Sequence, residues 1–484
     1  MNDEAGLQDR AARYFRLASL WLLVLTMAWA PFPLGSAVSW GAPLLEVLVA
    51  ASLVLWAAST IADPGRPVRD ARVVAIPALL ALPALAWVAI QTVPIVPQDW
   101  AHPIWGVAAT ALQHPNRGLV SIDPWRTRAE LLKLSCYVAA FWVAFSLSRR
   151  VEHAQMLLVA FIAIAAAYAL YAFALAGLHV TQVELIYALP LGANFITGPF
   201  MLHNSFATYA GLGTVAAAAR LFASADETIV ADRGPRQFLL TAMHFIFDRG
   251  ALMLVAAILL FSAVVASASR AGFGATAIAL MVLGLIAALR RRSARKAMWP
   301  AAVTLIVVVP LFGVILSNGG LLAKGFAELA DAGGPDAVRL ALWDAAWRMI
   351  ADRPWLGTGL GTFQDAYPLY AVKVLPFVMD KAHCDYLEFA AGAGIPAMVA
   401  WCAALAWLGV RCAAGALTRR RHQVFALVGL GTLVLVAVHA TVDFSLQIPA
   451  VALSFAVLLG AGVAQSLRSQ GKPSAATAAM PTSR

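Results

Sequence analysis

The feature that most constrains this chain is a series of uncharged apolar runs, each about the 20 residues that a helix needs to cross a bilayer. Twelve such runs are expected to span, at about 16–37, 42–62, 73–92, 129–148, 153–176, 201–222, 250–269, 271–289, 299–317, 384–410, 423–442 and 449–467. Several contain Pro or Gly, which membrane helices tolerate when neighbours satisfy the freed backbone groups. The runs are continuous rather than alternating, which argues against a β-barrel. Only 12% of the 484 residues are charged and 61% are hydrophobic, too little charge to coat a soluble surface of this size. The expected fold is therefore all-α: a polytopic integral membrane protein of about twelve transmembrane helices, forming one domain over 1–467. The Ser-, Ala-, Thr- and Pro-rich tail 468–484 is expected to be disordered and cytoplasmic. The first run, Leu17 to Ala30, continues into a Pro-rich turn rather than a cleavage site, so no cleavable signal peptide is expected.

The formal net charge of +10 would suit a nucleic-acid binder, but its distribution argues for orientation. With the N-terminus inside, 24 of the 35 basic residues fall in inside segments, among them Arg10, Arg13, Arg16, Arg149, Arg150, Arg290 to Arg292 and Arg419 to Arg421. This bias places both termini in the cytoplasm and leaves anionic lipid as the natural partner of the clusters. Nucleic-acid binding is not expected.

Two outer segments are then long enough to carry function, Thr92 to Arg128 and Ser317 to Ala382. Within the second, the large loop 318–382, Pro335 to Ala351 has the pattern of an amphipathic helix. Pro335 suits its first turn and Asp336 its positive end. Arg339 and Arg348 lie nine positions apart, half a turn out of phase, so they face opposite sides. Arg348, with Asp344 and Asp352 four residues away on either side, is explained as a surface ion-pair residue. Arg339 is the better candidate for an inward anion site. Arg270 joins the runs 250–269 and 271–289 with almost no loop, so it sits at the outer boundary, where orientation does not explain it. A charge at membrane depth faces a partner or a cavity more readily than lipid, although a snorkelling side chain is the simpler account.

His383 opens the tenth run. A neutral imidazole there can cap a helix or accept a hydroxyl proton. Guanidinium groups match a diphosphate in geometry and charge. Two arginine clamps and one base together describe group transfer from a diphosphate leaving group. Gly357-Thr358-Gly359-Leu360-Gly361 resembles a nucleotide loop only superficially, since no strand precedes it, and a tight packed turn is expected instead. His439 and Asp443 can meet on one helix face as a structural pair. His203 and Asn204 can cap the sixth run or touch a sugar. The four cysteines, Cys136, Cys384, Cys402 and Cys412, have no metal spacing and suit small packing roles.

At these residues the chain resembles the O-antigen ligase and O-antigen polymerase superfamily of bacterial envelope glycosyltransferases. The resemblance is carried by Ala268-Ser269-Arg270-Ala271-Gly272, by Arg339 to Trp343, by Arg353 to Phe363 and by His383 through Gly394. Weaker echoes are Ser121 to Pro124, Gly198 to Asn204 and Val442 to Phe444. It is strongest over Ala268–Pro396. It implies a transferase needing neither metal nor cofactor, with an undecaprenyl-diphosphate-linked glycan as donor. In the resembling ligases, arginines at the positions of Arg270 and Arg339 hold the diphosphate, and the histidine matching His383 is associated with activating the acceptor hydroxyl. The chain departs from the pattern at Cys384, where many relatives have Asn, and at Ala271, where Gly is commoner.

The resulting expectation is inverting glycan transfer at the periplasmic face of the bacterial inner membrane. Arg270 and Arg339 bind the leaving diphosphate, His383 is the base, and His203, Asn204, Asp385 and Asp443 are supporting candidates. The favoured acceptor is a glycan or lipid A-core, which makes a ligase, and a protein hydroxyl is a further candidate acceptor. A polymerase of lipid-linked repeat units is the alternative. A twelve-span transporter is the rival from another class, and an envelope scaffold is a third reading.

Overall fold

The structure is a computed structural model that describes residues 2–63, 71–115, 117–180, 182–184, 188–190, 195–228, 251–290, 335–372, 378–419 and 421–467. Its described residues form helices almost throughout, with one short antiparallel hairpin, Gln182–Glu184 against Ala188–Pro190. In chain order the helices are α1 (Asn2–Trp29), α2 (Gly41–Ala62), α3 (Ala71–Ile90), α4 (Ile104–Ala111), α5 (Pro124–Leu147), α6 (Val151–Gly177), α7 (His203–Thr228), α8 (Ala251–Ala266) and α9 (Arg270–Leu289). They continue with α10 (Pro335–Asp352), α11 (Phe363–Tyr370), α12 (Asp385–Ala393), α13 (Ile395–Thr418), α14 (Gln423–His439) and α15 (Pro449–Ser466). Among the described residues, nine helices are long and apolar enough to cross a membrane, and the shorter apolar helices α8 and α14 stand where two further spans were expected. The protein is a multi-pass membrane protein. The expected run at 299–317 and the tail 468–484 lie outside the described residues.

The expected tenth span, 384–410, is two helices. Gly394, at φ +87°, ends α12 and starts α13, and Pro396 suits the first turn of the new helix. Neither α4 nor α11 was expected, both being too short to carry a clear apolar period.

The centre of the bundle is α15, whose every residue is buried, in keeping with an apolar surface all round rather than one stripe. It packs on α5 and α14 through small residues. A Cβ on Gly462 would lie 2.7 Å from the Cα of Gly429, and one on Gly460 would lie 2.6 Å from the Phe141 carbonyl. Lipid offers no hydrophobic drive between helices, so such close backbone approach is what gives them contact. Between α1 and α2, Ser19 Oγ donates to the Ser52 carbonyl at 2.8 Å and Ser52 Oγ to the Ser19 carbonyl at 3.0 Å. Each such bond contributes only ~0.6 kcal/mol in a membrane, so it sets register more than stability.

The two ends of the bundle differ in character. At one end arginines reach helix-terminal carbonyls: Arg149 donates to Ala464, Arg290 to Ala416 and Arg419, and Arg419 to Leu467. These cations belong to the clusters read as orientation signals, and they also satisfy carbonyls left open at helix C-termini. At the other end gather the segments 30–40, 91–115, 117–123, 195–202, 267–269, 353–372 and 440–448.

The turn 353–362 is the keystone of that second end. Thr358 N donates to the Ala391 carbonyl at 3.0 Å, Gly359 N to Gly392 at 2.8 Å, and Ile122 N to Thr358 at 2.9 Å. Buried Gln91, just past α3, donates to the Leu356 and Gly392 carbonyls at 2.7 and 2.9 Å. Gly357 and Gly359 have φ of +70° and +109°, and a Cβ on either would lie within 2.5 Å of Gly392 O or Ser121 Oγ. The glycine motif is thus the packed turn that the sequence suggested, locking the start of α5 to α12.

Candidate active site

His383 stands just before α12 with φ +52°, in the left-handed region that a non-glycine residue seldom occupies. Such a backbone costs ~1–3 kcal/mol and persists only where its surroundings hold it. The restraints are visible. Glu388, one turn into α12 and 5% exposed, accepts from Ala382 N at 2.8 Å and lies 3.6 Å from Lys381 Nζ. On the far side, Asp385 N donates to the Ala440 carbonyl at 3.0 Å. His383 is held between these two anchors.

The imidazole meets the turn after α14. Its Nδ1 lies 3.6 Å from Asp443 Oδ1, and its ring stands edge-on to Phe444, centroids 4.8 Å apart. Asp443 is 2% exposed. Its Oδ1 accepts from Phe444 N at 2.8 Å, and its Oδ2 is 4.0 Å from His439 Nε2. Burial pushes the Asp443 carboxyl up, but the neighbouring His383 and His439 outweigh it and hold the group below the ordinary aspartate value. Asp443 is therefore a carboxylate facing the Nδ1 of His383. The separation exceeds a hydrogen bond, as catalytic contacts often do before substrate binds. The sequence reading paired Asp443 with His439, and the fold adds His383 as a second neighbour.

His439 carries the arrangement towards α7. Its Nδ1 is 3.1 Å from Thr208 Oγ1 and 3.2 Å from Ser445 Oγ. At the start of α7, His203 Nδ1 is 2.9 Å from the Ser267 carbonyl, in the turn that leads into α9. That turn contains Ala268 at φ +57°, and Ser269 Oγ caps α9 by accepting from Gly272 N at 3.1 Å. Arg270 follows as the first residue of α9, with an exposed side chain. Arg339, half-buried on the loop helix α10, bears electrostatically on both His203 and His439. Arg339 thus acts on His203 through its charge, and Arg270 stands three residues beyond the Ser267 carbonyl that His203 meets. Asn204 is buried beside it, and its carbonyl accepts from Thr208 Oγ1 at 3.1 Å.

The structure separates the other candidates as cleanly. Arg348 is exposed and pairs with Asp344 at 2.8 Å. Arg353 is a strut, with its guanidinium on the carbonyls of Gly357, Ala101 and Trp100. Asp385 Oδ1 accepts from Gln447 Nε2 at 3.0 Å, and burial pushes its carboxyl up to about 8. Cys384 is buried at the start of α12 without capping it through its side chain. Glu388 and Gln447 escaped the sequence reading. The one signal for Glu388 was a second acid one turn after Asp385 in an otherwise apolar helix, and Gln447 carried none. Among the described residues, no three His, Cys, Asp or Glu side chains converge as a metal site.

The assembled site has a cationic side, with Arg339 acting on His203 and Arg270 opening the helix that follows the Ser267 turn, and a His–Asp pair next to it. An anion can be held on the first while the second accepts a proton. Comparison with known proteins agrees with that chemistry. Residues 255–402 match the family model described as O-antigen ligase. The matched stretch runs from α8 through Arg270, Arg339 and His383 into α13, and over it the chain is O-antigen ligase-like. The match carries glycan transfer, by a ligase or polymerase, as the general activity, with a lipid-linked glycan and a glycan acceptor as its kinds of substrate. No curated protein matches the chain.

Proposed function

We propose that this protein transfers a glycan from an undecaprenyl-diphosphate carrier to an acceptor hydroxyl, as an O-antigen ligase does, at the periplasmic face of the bacterial inner membrane. The observation that carries the reading is the approach of His383 to buried Asp443 beside a flank built from Arg270, Arg339 and His203. Asp443 orients the imidazole and stabilises the imidazolium that forms. His383 takes the acceptor proton as the acceptor oxygen attacks the anomeric carbon. The new C–O bond forms as the bond from that carbon to the diphosphate oxygen breaks. The diphosphate leaves with the electron pair, and Arg270 and Arg339 neutralise it. Attack opposite the leaving group inverts the anomeric centre. The carrier already activates the sugar, so the scheme needs neither nucleotide nor metal.

The position of these charges supports an enzyme over a transporter. They collect at one end of the bundle, whereas transporter sites lie near the bilayer midplane on broken helices. The test is transfer in membranes supplied with lipid-linked glycan. Replacing Arg270 or Arg339 by Ala is expected to lower turnover by ~10²–10³-fold, the usual cost of one transition-state donor. His383→Ala is expected to cost ~10²–10⁴-fold. Near-normal turnover in all three inserted, folded variants overturns the assignment. Product attached to lipid A-core marks a ligase, and product lengthened on the carrier marks the polymerase alternative.

A further inference from the structure

Away from the arginine flank, a cavity of about 320 Å³ opens between α5, α12, α13 and α14. A second, of about 290 Å³, continues it between α3, α5, α13 and α15, and Leu134, Tyr137, Trp401, Leu405 and Leu446 border both. Together they make a cleft that is polar at its Asp385 end and apolar beyond. The polar end lies next to the base, because Asp385 is two residues from His383 and its N–H bonds to the Ala440 carbonyl in the turn that leads to Asp443.

The polar groups at that end define what fits. They include Glu130, Asp385, Glu388 and Gln447, with Tyr137 deeper, while the Tyr386 hydroxyl is taken up by the Ala437 carbonyl at 2.9 Å. Lys133 is engaged by Glu130 at 2.7 Å, and Lys381 by Glu388 at 3.6 Å. A diphosphate entering here would face three carboxyl groups, with both nearby lysines already engaged. Two enclosed polar atoms of the lining residues, Asp385 Oδ2 and Tyr137 Oη, have no hydrogen-bond partner among the described residues. Enclosed polar atoms are costly unless something satisfies them. Hydroxyl groups, which both donate and accept, suit a carboxyl and a phenol equally. The apolar remainder of the cleft suits a hydrocarbon chain.

We propose that this cleft holds the acceptor substrate, an amphiphile with a neutral, hydroxyl-rich glycan head and a hydrocarbon tail. The proposal rests on the transfer reading above and adds a division of labour. The turn 440–448 separates a cationic half for the diphosphate donor from a carboxyl-lined half, its lysines already paired, for the acceptor, with His383 between them.

The experiment uses the full chain in lipid nanodiscs and a dodecyl maltoside carrying a photoreactive diazirine on its alkyl chain. Labelling is expected on α5 and α13, in the peptides containing Tyr137 and Leu405. It is expected to fall at least ~10-fold in Leu405→Trp and, independently, in Ala406→Trp. A photoreactive dodecyl phosphate of the same chain length is expected to label there ~10-fold less. Excess farnesyl diphosphate is expected to leave the maltoside label within about twofold. Displacement by farnesyl diphosphate makes the cleft the carrier's slot and overturns the proposal. Equal labelling by both head groups, or labelling indifferent to both Trp variants in folded protein, overturns it too. Full transfer activity in Arg270→Ala and Arg339→Ala would instead remove the transfer reading, without touching the label.

Discussion

Asp443 is the residue on which the proposed chemistry turns without touching substrate. A buried carboxylate opposite an imidazole nitrogen fixes the tautomer, leaving the other nitrogen to accept a proton. Asp443→Asn is expected to lower turnover by ~10²–10⁴-fold, while the acceptor KM moves less than about threefold. A loss confined to KM would make Asp443 a packing residue. Asp385 leads to a prediction in the opposite sense. Burial raises its carboxyl to about 8 from an ordinary 3.8. The folded chain therefore binds a proton there that the unfolded chain has lost, and that group's contribution to stability falls as pH rises from about 4 to about 8. Asn cannot ionise and keeps an acceptor for Gln447. Asp385→Asn is expected to gain thermal stability relative to the unmodified protein across that interval, and a constant difference in melting temperature would refute the burial argument. At this scale the sequence made Arg270, Arg339 and His383 visible, because charge stands out in an apolar chain. It left Glu388 and Gln447 unseen, because their roles depend on which distant backbone they meet.

At the scale of elements, the turn 353–362 does for the site what no helix does alone. It carries no candidate catalytic group, yet it joins the end of α3, the start of α5 and the end of α12 through Gln91, Ile122 and Gly392. Gly357→Ala would push a Cβ to 2.2 Å from the Gly392 carbonyl at a φ that costs ~1–3 kcal/mol before any clash. The variant is expected to insert normally but to lose transfer, and to expose the segment 353–372 to protease. Gly106→Ala, where a Cβ meets nothing within 4 Å, is expected to be silent in both assays. The packed turn was legible because glycines at alternate positions mark positive φ. The break at Gly394 was not, because the apolar pattern runs through it unchanged.

Across the whole molecule, charge is divided between the ends. Arg149, Arg290 and Arg419 close helix C-termini at one end, and the candidate site occupies the other. The proposed orientation follows from the first group. It predicts that Arg348→Cys, on the exposed face of α10, reacts with a membrane-impermeant maleimide in intact cells. Asp9→Cys, exposed on α1, is expected to react only after permeabilisation. The reverse pattern would put the site on the cytoplasmic side and remove the periplasmic reading.

The order of the described spans other than the tenth, the loop helix from Pro335 and the short list of unusual charges were determined by the sequence alone. Each depends on the local balance of apolar, small and charged side chains, which water and lipid sort without reference to the rest of the chain. Only the tertiary structure decided that Asp443 faces His383, that the charge of Arg339 is felt by His203 and His439, and that Glu388 and Ala440 brace the turn between them. Those contacts join residues far apart in the chain. They are set by how closely α7, α12, α14 and α15 can approach, and that distance is a property of packed surfaces rather than of any single run of sequence.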